Sequence, residues 1–500
     1  MKRRLTKLLV ANRGEIALRI IRSARLFGLQ TVAIFSEADA MSSHVAAADE
    51  AILIGPAEAA QSYLDIAKII AAAKQSGADA IHPGYGFLSE RAEFARAAAE
   101  AGIVFVGPRP EVMAALGDKV AARRIATAAG VPVVPGIETA EISAAREFAI
   151  RVGYPILVKA AAGGGGRGMR VVAEAAQLGT ALEAASHEAA AAFGDGRIFI
   201  EKYLARPRHI EVQILGDEDG GAVALGEREC SIQRRHQKII EESPAPGLSA
   251  PMRTKIIDAA LSLARAAKYT NAGTVEFLLE GDNFYFLEVN ARLQVEHPVT
   301  EMRFGCDLVC EQLRIASGDK VPQVPTPRGA SIECRINAED PEHDFRPATG
   351  TVLRLNVPAG GGVRFDSHLA MGAEVTPWYD GLVGKLICFG ADREDARRRM
   401  VNALDEFALL GVTNNASYLR DIVASDQFRD AQLSTRFIEE FFPRWHPDDA
   451  QITAALVAAA IISDGVSAGA QHPSGASSPV ATNRSPWESL KNFELWGSRR

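Results

Sequence analysis

The sequence predicts a mixed α/β and α+β fold, which begins with a doubly wound parallel sheet and continues with antiparallel sheets. Two observations carry this prediction. Over the first 110 residues, short apolar runs alternate with runs of helical periodicity, which is typical of parallel strands joined by helices. From His209 onward, strand-rich patterns of period two indicate antiparallel strands. The 500 residues allow roughly three domains at about 100–200 residues each.

Composition excludes several classes of protein. Hydrophobic residues make up 47% and charged residues 23%, as in ordinary globular chains, so wholesale disorder is not expected. The net charge of −7 gives no global attraction for nucleic acid or membranes, and we expect neither partner. The longest apolar run, Ala454–Ile462, is too short to span a bilayer. The N-terminus has no signal-peptide core and the five cysteines form no CxxC pair, so we expect a cytoplasmic protein.

The N-terminal elements follow one another as a parallel sheet requires. Ligands of such sheets bind at the carboxyl ends of the strands, where Asn12–Gly14 and His82–Gly86 are expected to lie. A helix is predicted over Gly117–Gly130, and Val131–Gly136 then reads as a joint between domains. The predicted strands are Lys7–Ala11, Thr31–Ser36, Ala51–Ile54, Ala80–His82 and Ile103–Val106, and the helices are Gly14–Phe27 and Tyr63–Ala73.

The middle and the end of the chain differ in character. Asp449–Ser463 reads as a helix, and Asp464–Pro486 has the composition of a flexible linker. Apolar residues return in Trp487–Trp496, where we expect the start of another packed element. The predicted strands of the middle part are Pro155–Ala160, Met169–Val172, Ile198–Tyr203, His209–Leu215, Ala222–Glu229, Thr274–Glu280, Phe284–Asn290 and Ser331–Asn337.

A lysine and a glycine loop form the first candidate site. Lys159 ends a predicted strand, and five of the six residues over 163–168 are glycine. Consecutive N–H groups without Cβ atoms can close around phosphate oxygens, and Lys159 adds positive charge. The alternative is a flexible hairpin, but so many glycines are entropically unfavourable for mere connection.

Polar residues at alternate positions form the second candidate site. Glu276 and Glu288 lie on two apolar strands separated by a turn, and with Asn290 they offer oxygen ligands that suit Mg²⁺ or Mn²⁺. If the chain stays extended, Arg292, Gln294 and Glu296 point the same way as Glu288. The alternative is an ordinary solvated strand face.

Three further signals are weaker. The basic run Gln233–Lys238 could bind nucleic acid, but its acidic neighbours favour a pocket for a small anion or a triphosphate. Glu201 lies on a strand that could present polar groups to an adenine edge. Arg335 lies in a polar segment where a structural salt bridge is an equally simple interpretation.

Six motifs resemble those of biotin carboxylase, the ATP-grasp component of biotin-dependent carboxylases. The resemblance runs from about Lys7 to Phe442, in the order and spacing of the family. It implies an N-terminal doubly wound (pre-ATP-grasp) domain over 1–118, an ATP-grasp domain over 119–330 with a mobile lid at about 133–203, and a C-terminal biotin carboxylase domain over 331–443. The motifs are Asn12–Ala17, His82–Glu90, Gly163–Met169, Gln233–Lys238, Glu288–Pro298 and Glu333–Asp340.

The resemblance implies a ligase in which ATP and bicarbonate give carboxyphosphate, which then carboxylates biotin. By motif, Glu296 would be the general base, and Arg335 would steady the biotin enolate. Bicarbonate would be held by Lys238, Arg292, Gln294 and Val295, and two Mg²⁺ or Mn²⁺ ions by Glu276, Glu288 and Asn290. The implied ATP-binding residues are Lys119, Lys159, Gly163, Gly164, Gly165, Gly166, Gly168, Glu201, Lys202, Leu204, His209, Gln233, His236, Glu276 and Glu288.

The implied partners are a second copy of the chain, a biotin carboxyl carrier and a carboxyltransferase subunit. No Ala/Val-Met-Lys-Met biotinylation sequence occurs, so biotin is expected as a carrier-bound substrate. The α chains of acetyl-, propionyl- and methylcrotonyl-CoA carboxylases, which serve fatty acid or branched-chain amino acid metabolism, contain this component. Residues 444–500 fit either a stand-alone subunit with a tail or a truncated or split α chain. The remaining alternatives are another ATP-grasp carboxylate–amine ligase and a non-catalytic nucleotide-binding regulator.

Overall fold

The computed structural model describes residues 4–139, 141–160, 170–193 and 198–448. The chain divides into two units, 1–446 and 447–500, and almost all of the second unit lies outside the described residues. The predicted helix over Asp449–Ser463, the linker and Trp487–Trp496 therefore lie outside them, as does the glycine loop. No helix among the described residues is long and apolar enough to cross a membrane.

The first domain is the predicted doubly wound sheet. Leu8 of the first strand packs with helix residues Ile16 and Ile20 on one face, whereas Leu9 packs with Ile69 and Phe94 on the other. The bounds are β1 Lys7–Val10, α1 Gly14–Leu26, β2 Gln30–Ser36, α2 Ser43–Ala47, β3 Glu50–Gly55, α3 Ile66–Ser76, β4 Ala80–His82, α4 Ala92–Glu100 and β5 Val104–Phe105. All neighbours in the order β3-β2-β1-β4-β5 are parallel.

Capping aspartates place two helix starts later than periodicity predicted. The helix expected from Tyr63 begins at Ile66, because the Asp65 side chain accepts a hydrogen bond from the Lys68 amide at 3.0 Å. The helix expected over Gly117–Gly130 is α6 Lys119–Ala128, and a separate helix, α5 Pro110–Gly117, precedes it. Asp118 separates them and caps α6 by accepting from the Ala121 amide at 2.7 Å.

The carboxyl ends of β1 and β4 meet through Asn12. Its Nδ2 atom donates to the carbonyl oxygens of Pro83 and Tyr85, at 2.8 and 2.7 Å. Gly84 lies between these two residues with φ +64°, and a Cβ atom there would lie 2.9 Å from Asn12 Nδ2. The two predicted edge motifs therefore form one hydrogen-bonded unit that requires glycine at position 84.

A small antiparallel sheet with its own core occupies the segment predicted as a lid. Phe148, Ile156, Val172, Leu182 and Ile200 are among its buried core residues. Its elements are β6 Gly136–Glu138, α7 Ile142–Val152, β7 Ile156–Ala160, β8 Arg170–Val172, α8 Leu178–Phe193 and β9 Ile198–Lys202. The strand order is β6-β9-β7-β8, so the glycine loop connects two neighbouring strands, as expected.

The centre of the molecule is an antiparallel sheet of eight strands. Its elements and associated helices are β10 Arg208–Gly216, β11 Ala222–Arg234, β12 Gln237–Ser243, α9 Ala250–Ala266, β13 Asn271–Glu280, β14 Asn283–Asn290, α10 His297–Phe304, α11 Leu308–Ala316, β15 Ala330–Asn337, β20 Val363–Ser367 and β22 Leu382–Gly390. The order β14-β13-β10-β11-β12-β15-β22-β20 confirms the predicted antiparallel pattern. Through β12 and β15, the ladder continues across the expected domain boundary at 330/331.

Short strands and helices complete the C-terminal part, whose core includes Leu386, Met400, Leu419 and Phe437. The remaining strands pair as β16 Glu339–Asp340 with β17 Arg346–Pro347, β18 Gly350–Thr351 with β21 Glu374–Val375, and β19 Arg354–Asn356 with β23 Ala408–Leu410. The helices are α12 Arg393–Glu406, α13 Ala416–Ala424, α14 Asp426–Arg429 and α15 Phe437–Phe441.

Candidate active site

One face of the eight-stranded sheet gathers charged residues from neighbouring strands. Glu211 lies opposite both Arg228 and Glu276, and Glu276 lies opposite Glu288. Directly opposed residues on antiparallel strands project to the same face, so these four side chains share one surface. Arg228 is fully buried and donates to Glu211, as well as to the side chains of Gln213, Thr274 and Thr300.

Lys238 is the hub of this surface. Its Nζ atom donates to Glu211, Glu276 and Glu296 at 2.6, 2.8 and 2.7 Å. Burial alone would lower the pKa of Lys238, but the three carboxylates outweigh it and raise the pKa well above its ordinary value. The ammonium group is therefore a permanent charge that holds three otherwise repelling carboxylates together.

Glu296 lies completely buried between two cations. One carboxylate oxygen accepts from Lys238, and the other accepts from an Arg335 guanidinium N–H at 3.0 Å. Burial would raise the pKa of Glu296, but Lys238 and Arg335 outweigh it and hold the pKa well below its usual range. Arg335 also donates from Nε to Glu241 at 2.6 Å. Burial raises the pKa of Glu241 to about 7, although Arg335 opposes this shift.

Glu276, Glu288 and Asn290 converge as a metal site requires. Glu276 and Glu288 are cross-strand partners, and Asn290 Nδ2 donates to Glu276 Oε1 at 2.8 Å. Partial burial and the nearby Glu276 carboxylate raise the pKa of Glu288, and Lys119 Nζ lies 3.9 Å from one of its carboxylate oxygens. Two adjacent carboxylates with an amide oxygen are hard donors that a divalent cation would neutralise, so these residues fit Mg²⁺ or Mn²⁺.

The expectation of one extended segment from Glu288 to Glu296 is wrong beyond Asn290. Strand β14 ends at that residue, and residues 291–296 form an irregular loop before α10. The loop nevertheless brings its polar side chains together, because Arg292 donates to both Asn290 and Gln294 at 2.9 Å. Arg292 Nε also lies 3.3 Å from a carboxylate oxygen of Glu90, in the predicted His82–Glu90 motif.

The residues predicted for ATP binding fall into separate groups. Gln233 Nε2 donates to His209 Nδ1 at 2.8 Å, and His209 Nε2 lies 3.0 Å from Glu276. Lys159 and Glu201 instead pair with each other at 2.7 Å on the sheet of β6 to β9, which we call the lid sheet after the predicted lid. Lys202 ends β9, Leu204 is buried just after it, and His236 lies on the exposed turn between β11 and β12. Gly163, Gly164, Gly165, Gly166 and Gly168 lie outside the described residues.

Sequence reasoning missed several buried charges that organise the site. Glu211 carries a usable signal, since it follows His209 by two residues on a predicted strand and so shares its face. Lys385 is the single charge of an otherwise apolar strand, whereas Arg228 and Glu241 each stand next to another charged residue in the sequence. Only strand pairing shows what these three side chains contact.

Glu15 gives a pH-dependent prediction at the base of α1. Burial raises the pKa of Glu15 to about 7, and the negative charge of Asp366 acts in the same direction. The positive charges of Lys385 and, more weakly, Arg19 oppose this shift. The Tyr85 hydroxyl donates a hydrogen bond to one of the Glu15 oxygens. In the unfolded chain the Glu15 carboxyl group already loses its proton near pH 4.5, whereas in the folded protein it keeps the proton up to about pH 7. The free energy of unfolding therefore decreases as the pH rises from 4.5 to 7. We expect Glu15→Gln to gain stability over the parent across that window, by about 3 kcal/mol above pH 7. Urea unfolding at a series of pH values measures the difference, and a pH-independent difference would contradict it.

An ATP-grasp ligase is the class of protein that this fold and site define. Lys159 on the lid sheet is suited to binding phosphate, and the acidic pair Glu276 and Glu288 is suited to a divalent cation. Three family models match the chain in succession: biotin carboxylase, N-terminal domain, over residues 4–113; carbamoyl-phosphate synthase L chain, ATP binding domain, over 118–324; and biotin carboxylase C-terminal domain, over 333–440.

Relatives matched over nearly their whole length agree with the family models. Biotin carboxylase of Pseudomonas aeruginosa is 49% identical over 442 residues, which cover 87% of this chain and 98% of that protein. A pyruvate carboxylase subunit of Methanothermobacter thermautotrophicus is 46% identical, with 87% of this chain and 90% of that protein covered. The biotin carboxylase domain dimer of Hydrogenobacter thermophilus 2-oxoglutarate carboxylase, solved with MgADP, ADP and bicarbonate, is 44% identical with a TM-score of 0.80, covering 87% of this chain and 97% of that one.

The chain belongs to the biotin carboxylase family of ATP-dependent ligases. The predicted fold class and ligase function are confirmed, and the biotin carboxylase interpretation is favoured over another carboxylate–amine ligase.

Proposed function

We propose that Glu296 is the general base that removes the proton of bicarbonate, so that the resulting dianion attacks the γ-phosphate of ATP and ADP leaves. The carboxyphosphate formed then gives its carboxyl group to the ureido nitrogen of biotin, which loses its proton, and inorganic phosphate is released. The single observation that carries this proposal is the environment of Glu296, a fully buried carboxylate held ionised by Lys238 and Arg335. A base must be unprotonated before it can act.

The same cations explain how such a weakly basic carboxylate can accept a proton. In the free site, Lys238 and Arg335 are both bound to Glu296. An anionic substrate competes for these N–H donors, and each donor that turns toward the substrate leaves Glu296 more basic. Substrate binding itself therefore activates the base.

Arg292, Gln294 and the Val295 backbone are proposed to hold bicarbonate beside Glu296. Arg292 is a planar donor suited to a carboxylate-like anion. It is already steadied by Asn290 and Gln294, so its orientation does not depend on the substrate. An anchored donor loses less side-chain entropy when the substrate binds.

ATP is proposed to lie between the lid sheet and the acidic pair. His209, Gln233 and Lys119 lie on the side of Glu276 and Glu288, and Lys159 and Glu201 on the lid. Glu276, Glu288 and Asn290 would hold Mg²⁺ or Mn²⁺, which would neutralise charge on the transferring phosphoryl group. The glycine loop is proposed to cover the phosphates.

A biotin carboxyl carrier and a carboxyltransferase are the proposed partners, and Arg335 the proposed contact for the biotin enolate. The Methanothermobacter relative, named as one subunit of pyruvate carboxylase, supports a divided enzyme, and the related Hydrogenobacter domain, described as a dimer, supports a homodimer. The acyl-CoA or keto acid that finally receives the carboxyl group would be chosen by the carboxyltransferase.

ATP hydrolysis with and without bicarbonate and free biotin tests the proposed function. We expect little hydrolysis with ATP and Mg²⁺ alone, stimulation when both bicarbonate and biotin are added, and carboxybiotin as a product. Folded protein that shows no stimulation by either compound would contradict the proposal.

A further inference from the structure

Another buried cation, Lys385, lies beside the loop of residues 291–296. Lys385 of β22 has no exposed surface, and its Nζ atom donates to the carbonyl oxygen of Val295 at 3.0 Å. The same atom lies 3.1 Å from Glu15 at the start of α1, and 5.8 Å from the ring centroid of Tyr85. One ammonium group thus joins three segments that are far apart in the sequence.

Stability alone is a poor explanation for Lys385. A buried ion pair often contributes no more than well-packed apolar residues of the same volume, because both charges lose their hydration. An unbranched apolar side chain such as methionine could fill this space among the strands. What methionine could not supply is an N–H donor for the Val295 carbonyl.

The Val295 carbonyl controls the orientation of the residue that follows it. Residues 291–296 lie between β14 and α10, outside any ladder or helix that would fix their peptide planes. Because a peptide unit is planar, holding the Val295 oxygen also fixes the direction in which the chain enters Cα of Glu296. That direction decides where the Glu296 carboxylate points.

Strand pairing places Lys385 next to Arg335, which also holds Glu296. Arg335 of β15 and Lys385 of β22 are directly opposed residues, so they project from the same face of the sheet. Arg335 donates to the Glu296 carboxylate, whereas Lys385 donates to the peptide just before it. Neighbouring positions of two strands therefore hold both the side chain and the backbone of one residue.

We propose that Lys385 is a positioning residue, which orients the Val295–Glu296 peptide through its hydrogen bond to the Val295 carbonyl. Among the described residues, those assigned to ATP or metal have no hydrogen bond or ion pair with Lys385, so we expect its effect to reach the reaction through Glu296. The proposal rests on the role of Glu296 as the general base.

Lys385→Met tests the proposal by kinetics. We expect bicarbonate- and biotin-dependent turnover to fall about 10- to 100-fold, as for a misplaced reacting group, while the KM for ATP stays within about 2-fold. Lys7→Met is the matched control, because Lys7 also donates to one glutamate, Glu50, and one carbonyl, that of Ser76, but in the N-terminal sheet. The control should leave turnover unchanged. An unaltered turnover in Lys385→Met, or an equal loss in the control, would overturn the proposal.

A double-mutant cycle with Glu296→Gln separates positioning from a general structural effect. If Lys385 acts through Glu296, the double variant should be no slower than Glu296→Gln alone, because the base is already lost. If the losses of turnover in the two single variants multiply in the double variant, the positioning role of Lys385 is overturned, but the assignment of Glu296 as the general base stands. Near-normal turnover of Glu296→Gln alone would instead overturn that assignment. Should Lys385→Met not fold, the same cycle with Lys385→Leu, which likewise has no N–H donor, is decided by the same outcomes.

Discussion

Glu296→Gln should lower bicarbonate- and biotin-dependent turnover by ~10²-fold or more, while ATP binding persists. Glutamine keeps the volume of the side chain and can still accept a hydrogen bond from Lys238 or Arg335 through its one amide oxygen, but it cannot take the proton of bicarbonate. Steady-state turnover and equilibrium binding of ATP measure the two effects separately.

Glu242→Gln is the matched control for this experiment. Glu242 is also a buried glutamate of the same sheet, bound by Arg393 at 2.6 Å, and its side chain points away from the face that carries Glu241. The control should lose stability but keep most of its turnover. If Glu296→Gln behaves like Glu242→Gln, Glu296 is not the base.

Lys238→Met should both inactivate and destabilise the protein. The substitution leaves Glu211, Glu276 and Glu296 together without their shared cation, and removal of one partner from a buried ion pair costs about 3–5 kcal/mol. Turnover should fall at least as far as in Glu296→Gln, because bicarbonate also loses a donor.

The loss of stability expected for Lys238→Met should depend on pH, because the pKa values of Glu276 and Glu296 are lowered in the parent protein. In the parent protein these carboxylates add stability above their unfolded pKa of 4.5, and that stability is lost only as the pH falls through their lower folded values. Without Lys238 they gain protons more readily than in the unfolded chain, so the destabilisation should be larger at pH 8 than at pH 5. Urea unfolding of both proteins at the two pH values measures it, and an equal loss at both would contradict the hub role of Lys238.

The parts of the fold with strong periodicity were predictable from the sequence. Leu8 and Leu9 alternate toward helices on opposite faces of the N-terminal sheet, as expected of a buried parallel strand. The antiparallel strands carrying Glu276 and Glu288 were also predicted, and their pairing brings the two carboxylates together. Local chemistry moved the boundaries, as the caps at Asp65 and Asp118 show.

The interior of the site could not be predicted in the same way. A period-two pattern indicates which face a residue occupies, but not which strands become neighbours, so the convergence of Lys238 on three carboxylates was not visible. The loop after Asn290 preserves the grouping of Arg292 and Gln294 through side-chain hydrogen bonds rather than through strand alternation. Lys385 lies about 90 positions from Val295, and only tertiary structure relates the two.

The eight-stranded sheet has a consequence for how the enzyme can close. Because β12 and β15 belong to one ladder, the strands bearing Lys238 and Arg335 cannot separate without breaking backbone hydrogen bonds. The sheet of β6 to β9 has a core of its own. If this sheet covers the nucleotide, as proposed, we expect it to move as one body during the reaction, while the strands that carry Lys238 and Arg335 keep their arrangement.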